Sequence, residues 1–298
     1  MHVIHTPSEM HNWVYMLKKT GKRVGFVPTM GYLHKGHLEL MKFARGHCDV
    51  LVLSIFVNPT QFAPGEDYGS YPRDLKRDLE LAQWAGVDCL FLPEAADIYP
   101  AGYRTFVDVE TLSEGLCGAF RPGHFRGVAT VVAKLLNIVG PDEAFFGEKD
   151  AQQLVVIRRM VSDLQFPVKI TGFPTVRESD GLAMSSRNVY LAADERERAV
   201  ALSRALFHAR DRICAGEVNV ETVLEEMSAM LTGIDVEYVE VVDPESLERV
   251  SRLCGPVLIA LAARVGKARL IDNITVDWSH PRPAESDEGS AAEGVPCL

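Results

Sequence analysis

Short apolar runs alternate with segments of helical spacing over the first 175 residues of the chain. Between the second and third runs, a helix is expected at 74–85, with Leu75, Leu79, Leu81 and Trp84 facing the core. An alternation of this kind predicts an α/β fold with a doubly wound parallel sheet. The runs themselves are rich in β-branched residues and predict strands at 23–27, 48–57, 87–92, 143–146 and 168–173.

The pattern changes after Pro174. A polar, glycine-containing stretch at 176–188 comes first, and a second, smaller α+β domain is expected to extend to residue 278. The first domain is then 1–175, and the acidic, proline-containing residues 279–298 predict a disordered tail. In the second domain, helices are predicted at 194–215 and 219–231, and strands at 235–242, 257–263 and 270–276.

Composition narrows the class of function. The chain has 298 residues, is 47% hydrophobic and 24% charged, and carries a net charge of −10. This balance is typical of a globular protein, and it argues against nonspecific attraction to nucleic acid, so small-molecule partners are expected. No apolar run approaches the length of a membrane span, no signal pattern opens the chain, and the six cysteines lack zinc-like spacing, so a cytoplasmic location is expected.

The first strand-to-helix junction carries two histidines. A strand ends before a turn at Gly31 and a helix is expected to begin near Lys35, which places His34 and His37 on one face of the helix N-terminus. The free N–H groups and the helix dipole favour phosphate there, and two imidazoles could donate to the phosphates of ATP. Gly36 leaves room for close approach. The alternative is that each histidine only caps or packs locally.

Two further junctions carry polar side chains. Gln61 follows the run at 48–57, at the strand end where open α/β sheets bind ligands, although a simple turn amide explains it equally well. Arg121 and His124 lie in a glycine-punctuated loop before a helix expected at 128–139. That position favours a phosphate or carboxylate site, whereas a solvated basic loop is the alternative.

The last two candidates lie further along the chain. Lys149 follows the strand at 143–146 and could neutralise phosphate charge, or could simply be exposed. Met184, Ser185, Ser186 and Arg187 lie at the expected domain junction. A mobile lid there could bring hydroxyls and an arginine onto a nucleotide, while a linker with helix-capping serines is the alternative.

Seven ordered sequence blocks together carry a family resemblance: PTMGYLHKGH (28–37), FVNPTQF (56–62), YPRD (71–74), RPGHFRGV (121–128), FFGEKD (145–150) with Gln152 and Gln153, PTVRESDGLAMSSRN (174–188) and RLIDN (269–273). On these residues the chain resembles the pantothenate synthetase family of pantoate–β-alanine ligases, in the HxGH nucleotidyltransferase-like superfamily. The resemblance extends from residue 1 to about residue 278. It implies a Rossmann-like ATP domain, a C-terminal lid domain, a homodimer, Mg²⁺, and cytoplasmic pantothenate synthesis from pantoate, β-alanine and ATP.

The resemblance also implies roles for individual residues. Gln61 and Gln153 would bind pantoate, Arg121 and His124 would line the same cleft, and Asp78 would hold magnesium through water. Lys35, Arg77 and Ala151 depart from the family pattern. The four residues expected to be catalytic are His34, His37, Lys149 and Arg187. The ATP-binding set would comprise Met30, at the reacting centre, with His34, His37, Gly147, Lys149, Asp150, Val176, Met184, Ser185, Ser186 and Arg187.

The implied reaction has two steps. Pantoate carboxylate attacks the α-phosphorus of ATP and releases pyrophosphate, and the amine of β-alanine then attacks pantoyl adenylate and releases AMP. The chain offers no Ser-His or Cys-His constellation, and this chemistry needs no protein nucleophile. Two alternatives remain open: a nucleotidyltransferase that keeps the adenylyl group in its product, and a nucleotide-binding regulatory module without turnover.

Overall fold

The structure, a computed structural model, describes residues 1–277. Six parallel strands form the larger sheet: β1 (His2–Ile4), β2 (Val24–Thr29), β3 (Val50–Ile55), β4 (Cys89–Phe91), β5 (Glu143–Gly147) and β6 (Lys169–Phe173). Their order across the sheet is β1-β4-β3-β2-β5-β6, so β3 and β4 lie on one side of β2, and β5 and β6 lie on the other. The predicted doubly wound parallel sheet is confirmed, and ligands bind such sheets at this reversal of strand order.

Helices cover both faces of this sheet because successive strand residues point to opposite sides. Phe26 and Val52 belong to one core, whereas Val27, Leu51 and Leu53 belong to the other. The first core contains residues of α1 (Pro7–Lys19), α6 (His124–Val139) and α7 (Ala151–Asp163), and the second contains residues of α2 (Lys35–Arg45) and α3 (Leu75–Trp84). Two helical turns, α4 (Ala95–Ile98) and α5 (Cys117–Phe120), lie in the long connection after β4.

A smaller antiparallel sheet follows. It consists of β7 (Asp235–Val242), β8 (Val257–Val265) and β9 (Ala268–Val276), in that order, with α8 (Ala193–Cys214) and α9 (Val220–Met230) contributing to its core. The predicted α+β arrangement is confirmed. Since the smaller sheet forms a core with α8 and α9, we propose the domain division at residue 175 that the sequence predicts. The tail predicted at 279–298 lies outside the described residues.

Helix α3 agrees with the prediction at Leu79 and Leu81, which pack against the core, but differs from it near its two ends. Its periodicity predicts that Leu75 and Trp84 face the core, but they are 43% and 66% exposed. Asp78 and Ala82 occupy the buried side instead. The carboxylate of Asp78 turns that face inward because it accepts two backbone N–H groups there, and Trp84 lies under the ammonium of Lys42, 4.5 Å from its ring centroid.

Helix α6 begins at His124 rather than at 128. Gly123 precedes it with a φ of 79°, a left-handed conformation that costs glycine little. The earlier start places Gly127 inside the helix, against the 3₁₀ turn Pro59–Gln61. A Cβ at residue 127 would lie 2.3 Å from the carbonyl oxygen of Thr60, so glycine permits this close packing.

Within residues 1–277, no helix combines the length and the apolar character needed to cross a bilayer.

Candidate active site

A cavity of about 780 Å³ opens at the carboxyl ends of β2, β3 and β5. The segment 174–187 and the loop 62–71 form much of its remaining wall. This is the edge at which the sequence places its polar junctions. All the predicted site residues except Asp78 line it: Met30, His34, His37, Gln61, Arg121, His124, Gly147, Lys149, Asp150, Gln153, Val176, Met184, Ser185, Ser186 and Arg187.

The two histidines cap helix α2 and also line the cavity. His34 is the N-cap residue, and its Nδ1 accepts the N–H of Gly36 at 3.2 Å. The Nδ1 of His37 accepts the N–H of His34 at 3.3 Å, and the two ring centroids lie 4.0 Å apart. A backbone N–H can only donate, so in both neutral rings the proton is on Nε2. The local-capping alternative and the phosphate hypothesis are therefore compatible: Nδ1 serves the helix and Nε2–H remains a donor.

The surroundings keep both imidazoles neutral. Burial, with the neighbouring His37 and Lys149, lowers the pKa of His34 to about 2. Burial also lowers the pKa of His37 to about 4, and Lys149 acts in the same direction against the opposing carboxylate of Asp150. Neutral Nε2–H groups donate hydrogen bonds without changing charge, which suits a site where negative charge moves during reaction.

Asp78 lies behind the histidine turn. It is 2% exposed, and its two carboxylate oxygens accept the N–H groups of Leu33 at 2.7 Å and Tyr32 at 2.8 Å. Tyr32 has a φ of 51°, a left-handed conformation that is strained for a residue with a side chain. These bonds stabilise the turn that presents His34, and they leave Asp78 directed at backbone rather than at a magnesium ion in the cavity.

The side-chain oxygen of Gln61 is held by Asn58, and its side-chain nitrogen faces the cavity. Its Oε1 accepts from the side-chain amide of Asn58 at 3.1 Å, and its Nε2 lies 2.9 Å from the sulfur of Met30. Gln61 is 8% exposed, which argues against a simple solvated turn amide. Gln152 and Gln153 both line the cavity. The side chain of Gln152 is bonded to backbone atoms of residues 112–117, and we propose Gln153 as the one that binds pantoate.

Arg121 and His124 do not form a solvated loop. The Nδ1–H of His124 donates to the carbonyl of Gln61 at 2.8 Å, and its Nε2 accepts from Arg121 at 3.1 Å. Arg121 also donates to the same carbonyl at 3.2 Å and forms an ion pair with Glu66. Burial and the Arg121 charge lower the pKa of His124 to about 4. The pair therefore holds the Gln61 backbone in place.

The Lys149 loop is fixed by the second sheet. Asn273 of β9 donates from its side-chain nitrogen to the carbonyls of Glu148 at 3.0 Å and Lys149 at 2.8 Å. The neighbouring Asp272 forms a bidentate pair with Arg177, at 2.6 and 3.0 Å. These contacts connect the 145–150 block and the 174–188 block to β9.

Segment 184–190 lies against the loop 67–71. The guanidinium of Arg187 binds both oxygens of Asp67 at 2.9 Å. Ser186 and Tyr71 join their hydroxyls at 3.1 Å, and the Tyr190 hydroxyl donates to the carbonyl of Ser70 at 3.0 Å. Burial alone would lower the pKa of Arg187, but Asp67 holds it above its ordinary value. Ser185 caps the 3₁₀ helix Ser186–Tyr190 through the N–H of Arg187.

Sequence reasoning missed several residues that position the site. Asn58, Asp67, Tyr99 and Asn273 contact predicted site residues or their immediate partners, but the sequence pattern assigned none of them a role. Asn273 had one usable signal, its place in the RLIDN block at 269–273. Asp67 had none, because its partner Arg187 is 120 residues away in the chain.

A resident magnesium does not fit the side chains of the cavity. Of the three carboxylates of the lining, Glu66 and Asp67 form ion pairs with Arg121 and Arg187, and the third, Asp150, stands alone as a possible ligand. Among residues 1–277, no cluster of three or more His, Cys, Asp or Glu could hold a metal ion. The residues are arranged to accept an anion, so no magnesium site is assigned to the protein itself.

Comparison with known proteins identifies the family of the chain. A model of the family described as pantoate-beta-alanine ligase matches residues 2–275. The pantothenate synthetase of Heliobacterium modesticaldum is 57% identical over 280 residues, which cover 93% of this chain and 100% of that protein.

Two solved structures are also similar. The pantothenate synthetase of Thermus thermophilus has a TM-score of 0.88 and 48% identity, covering 92% of this chain and 99% of that one. The pantoate-beta-alanine ligase of Francisella tularensis, solved in complex with beta-gamma ATP and β-alanine, has a TM-score of 0.76 and 36% identity, covering 92% and 97%. With its sequence and its fold matching over nearly its whole length, the chain belongs to the pantoate-beta-alanine ligase family.

Proposed function

We propose that the chain condenses pantoate with β-alanine at the expense of ATP, giving pantothenate, AMP and pyrophosphate through pantoyl adenylate. One observation carries the proposal. Two neutral Nε2–H donors, the ammonium of Lys149 and the guanidinium of Arg187 line the same cavity as the side-chain amide of Gln61. This combination serves a triphosphate and a small hydroxy acid together.

In the first step, the pantoate carboxylate attacks the α-phosphorus in line and pyrophosphate leaves. His34, His37 and Lys149 would donate to the phosphate oxygens, where negative charge shifts onto the leaving group. Met30, Gly147, Asp150, Val176 and Met184 would surround the rest of the nucleotide. Gln61 and Gln153 would hold pantoate with its carboxylate toward the phosphates, because near-attack geometry accounts for much of the rate of such reactions.

In the second step, the uncharged amine of β-alanine attacks the acyl carbon of pantoyl adenylate, and AMP leaves. The acyl adenylate is labile in water, so covering the site protects it. Segment 184–190 is suited to that task because it already lies across the cavity, with Ser185, Ser186 and Arg187 in its wall. Arg187 would exchange Asp67 for phosphate when the nucleotide binds.

Three further proposals follow from the family. Magnesium would enter as part of the ATP complex, since Mg²⁺ commonly binds substrate phosphates and water. The active form would be a homodimer, and the location would be the cytoplasm. ATP and β-alanine as ligands are supported by the complex of the Francisella tularensis relative.

The decisive experiment omits β-alanine. With pantoate, ATP and magnesium, the protein is expected to exchange labelled pyrophosphate into ATP, because the first step is reversible on its own. Without pantoate, no exchange is expected. Adding β-alanine should then release AMP and pantothenate in equal amounts.

The rival functions give different results in that assay. A nucleotidyltransferase would keep the adenylyl group in its product and release no AMP, and a regulatory module would bind ATP without any exchange. Exchange in the absence of pantoate, or exchange that begins only once β-alanine is added, would contradict the two-step mechanism.

ATP is expected to protect segment 178–188 from proteolysis. Trypsin should cleave after Arg187 more slowly when ATP and magnesium are present, because phosphate contacts add to the bonds that hold the segment against 67–71. Asp67→Asn should increase cleavage without nucleotide, since it removes the charged partner of Arg187, but it should retain protection by ATP. Cleavage rates that ATP leaves unchanged in the wild type would argue against a lid.

A further inference from the structure

A chain of side-chain hydrogen bonds runs from Gln61 into the protein, away from the cavity. Asn58 is 1% exposed, and its Nδ2 donates to Oε1 of Gln61 and to the carbonyl of Gly127, both at 3.1 Å. Its Oδ1 accepts from the hydroxyl of Tyr99 at 2.8 Å, which is the shortest of its bonds, and from the hydroxyl and the N–H of Thr60 at 3.0 and 3.3 Å. Tyr99 has no role in the chemistry proposed above.

Backbone partners determine which end of the Asn58 amide is nitrogen. The carbonyl of Gly127 can only accept and the N–H of Thr60 can only donate, so the nitrogen faces Gly127 and the oxygen faces Thr60. Oε1 of Gln61 therefore accepts the hydrogen bond from Nδ2 of Asn58. What Gln61 presents to a ligand is its NH₂ group, which can only donate.

Tyr99 holds the oxygen end of that amide. Its hydroxyl also lies 3.1 Å from Oγ1 of Thr60, and its ring packs between Phe56 and Tyr103, with centroids 6.3 and 5.1 Å away. Burial raises the pKa of Tyr99 to about 12. The hydroxyl therefore keeps its proton at neutral pH and remains a donor to Asn58.

We infer that Tyr99 is a positioning residue for the acid substrate: through Asn58 it fixes the Gln61 amide so that the NH₂ group donates to a hydroxyl oxygen of pantoate. One carboxylate oxygen of pantoate must face the α-phosphorus of ATP, and we assign the Gln61 donor to one of the hydroxyl oxygens, which take no part in the bond to phosphorus. The inference rests on the proposed function. It concerns the orientation of one substrate and not the chemistry at phosphorus.

The test compares Tyr99→Phe with Tyr103→Phe. Tyr99→Phe keeps the ring and removes the donor to Asn58, and it should raise the KM for pantoate about 3- to 10-fold, the scale of one hydrogen bond. The KM for ATP and kcat should stay within about twofold. Tyr103 is the matched control because its ring packs against Tyr99, while its hydroxyl takes no part in the bonds to Asn58. The ammonium of Lys134 lies 4.4 Å from the centroid of the Tyr103 ring. Tyr103→Phe should match the wild type.

Two measurements distinguish a positioning role of Tyr99 from a general loss of stability. In a Gln61→Ala background, Tyr99→Phe should change the KM for pantoate no further, since its effect passes through Gln61. Two analogues of pantoate each lack one of its two hydroxyl groups, and the wild type should turn over at least one of these analogues less efficiently than pantoate. Tyr99→Phe should reduce that preference while barely changing turnover of the disfavoured acid.

Equal losses of kcat/KM for pantoate and for both analogues would overturn the inference, as would additive effects of the Tyr99 and Gln61 substitutions. Neither result would contradict the proposed function. That function would be contradicted by a different result, the absence of pantoate-dependent pyrophosphate exchange in the wild type. Thermal unfolding of both tyrosine variants identifies any general loss of stability, and the Gln61 background then still reports whether the two residues are coupled.

Discussion

Replacing His37 by asparagine is expected to lower pantoate-dependent pyrophosphate exchange about 100-fold with little change in stability. His37 has two tasks: Nδ1 accepts the N–H of His34, and the Nε2–H remains for the cavity that the ring lines. The asparagine oxygen can replace Nδ1 as the cap acceptor, but no asparagine atom replaces Nε2. His37→Ala loses both, so it should cost a similar factor in rate and about 1 kcal/mol of stability as well.

Lys35→Ala is the matched control for His37. Lys35 begins the same helix but is exposed and does not line the cavity, so its removal should change exchange by less than about twofold. A loss as large as that of His37→Asn would mean that positive charge near the helix start, rather than the imidazole donor, supports the reaction. Exchange by His37→Asn near the wild-type rate would remove His37 from the mechanism.

The pH dependence gives a second check on His37. Its pKa is about 4 in the folded protein and near 6.5 in the unfolded chain. Between these values the unfolded chain binds the extra proton, so stability should fall as the pH drops from 6.5 toward 4. His37→Asn should show a smaller fall when urea unfolding is measured at about pH 7.5 and about pH 5. A wild-type stability that rises on acidification through this window would contradict a neutral His37.

Lys149→Met is expected to reduce exchange at least about 100-fold, because it removes a fixed positive charge from the cavity wall. The loop is held through its backbone: Asn273 bonds the carbonyls of Glu148 and Lys149. Methionine keeps the length of the side chain and those backbone bonds. Stability should therefore change little while kcat for exchange falls, and thermal unfolding measured with the kinetics checks both parts.

Lys267→Met is the control for general attraction of anions. Lys267 lies between β8 and β9 and lines the same cavity, but it comes from the exposed hairpin end. Its loss should change exchange by less than about threefold, mainly through a salt-sensitive KM for ATP. Equal losses for the two lysines would show that the overall positive field, rather than the placed ammonium of Lys149, accelerates the reaction.

The sequence pattern alone predicted the strand-to-helix junctions, because each of them lies within one short segment of the chain. The strand predicted at 23–27, the turn at Gly31 and the helix from Lys35 follow one another within a short segment, and the structure has all three, with the strand at 24–29. The same is true of the Lys149 junction between β5 and α7. Hydrophobic periodicity and glycine act on the chain locally, so their effects are readable from the sequence.

The sequence pattern gave the wrong prediction where a residue distant in the chain decides which side chains of a helix are buried or where the helix begins. Leu75 and Trp84 have apolar side chains at helical spacing, but Asp78 on the same helix takes the buried side because two N–H groups of the histidine turn need an acceptor. The start of α6 lies at His124 for a related reason, since the His124 ring donates to the carbonyl of Gln61. Neither partner is near in the sequence.

The sequence by itself determined the two kinds of sheet, the strand-to-helix junctions that carry the site, and, through seven ordered motifs, the family. Only the tertiary structure decided which atoms those residues present: that the Nδ1 atoms of His34 and His37 are used for capping, that Arg187 pairs with Asp67, and that Gln61 offers nitrogen. The reason is physical. A hydrogen bond depends on the direction of a donor and an acceptor brought together by folding, whereas a sequence pattern records only which side chains follow one another.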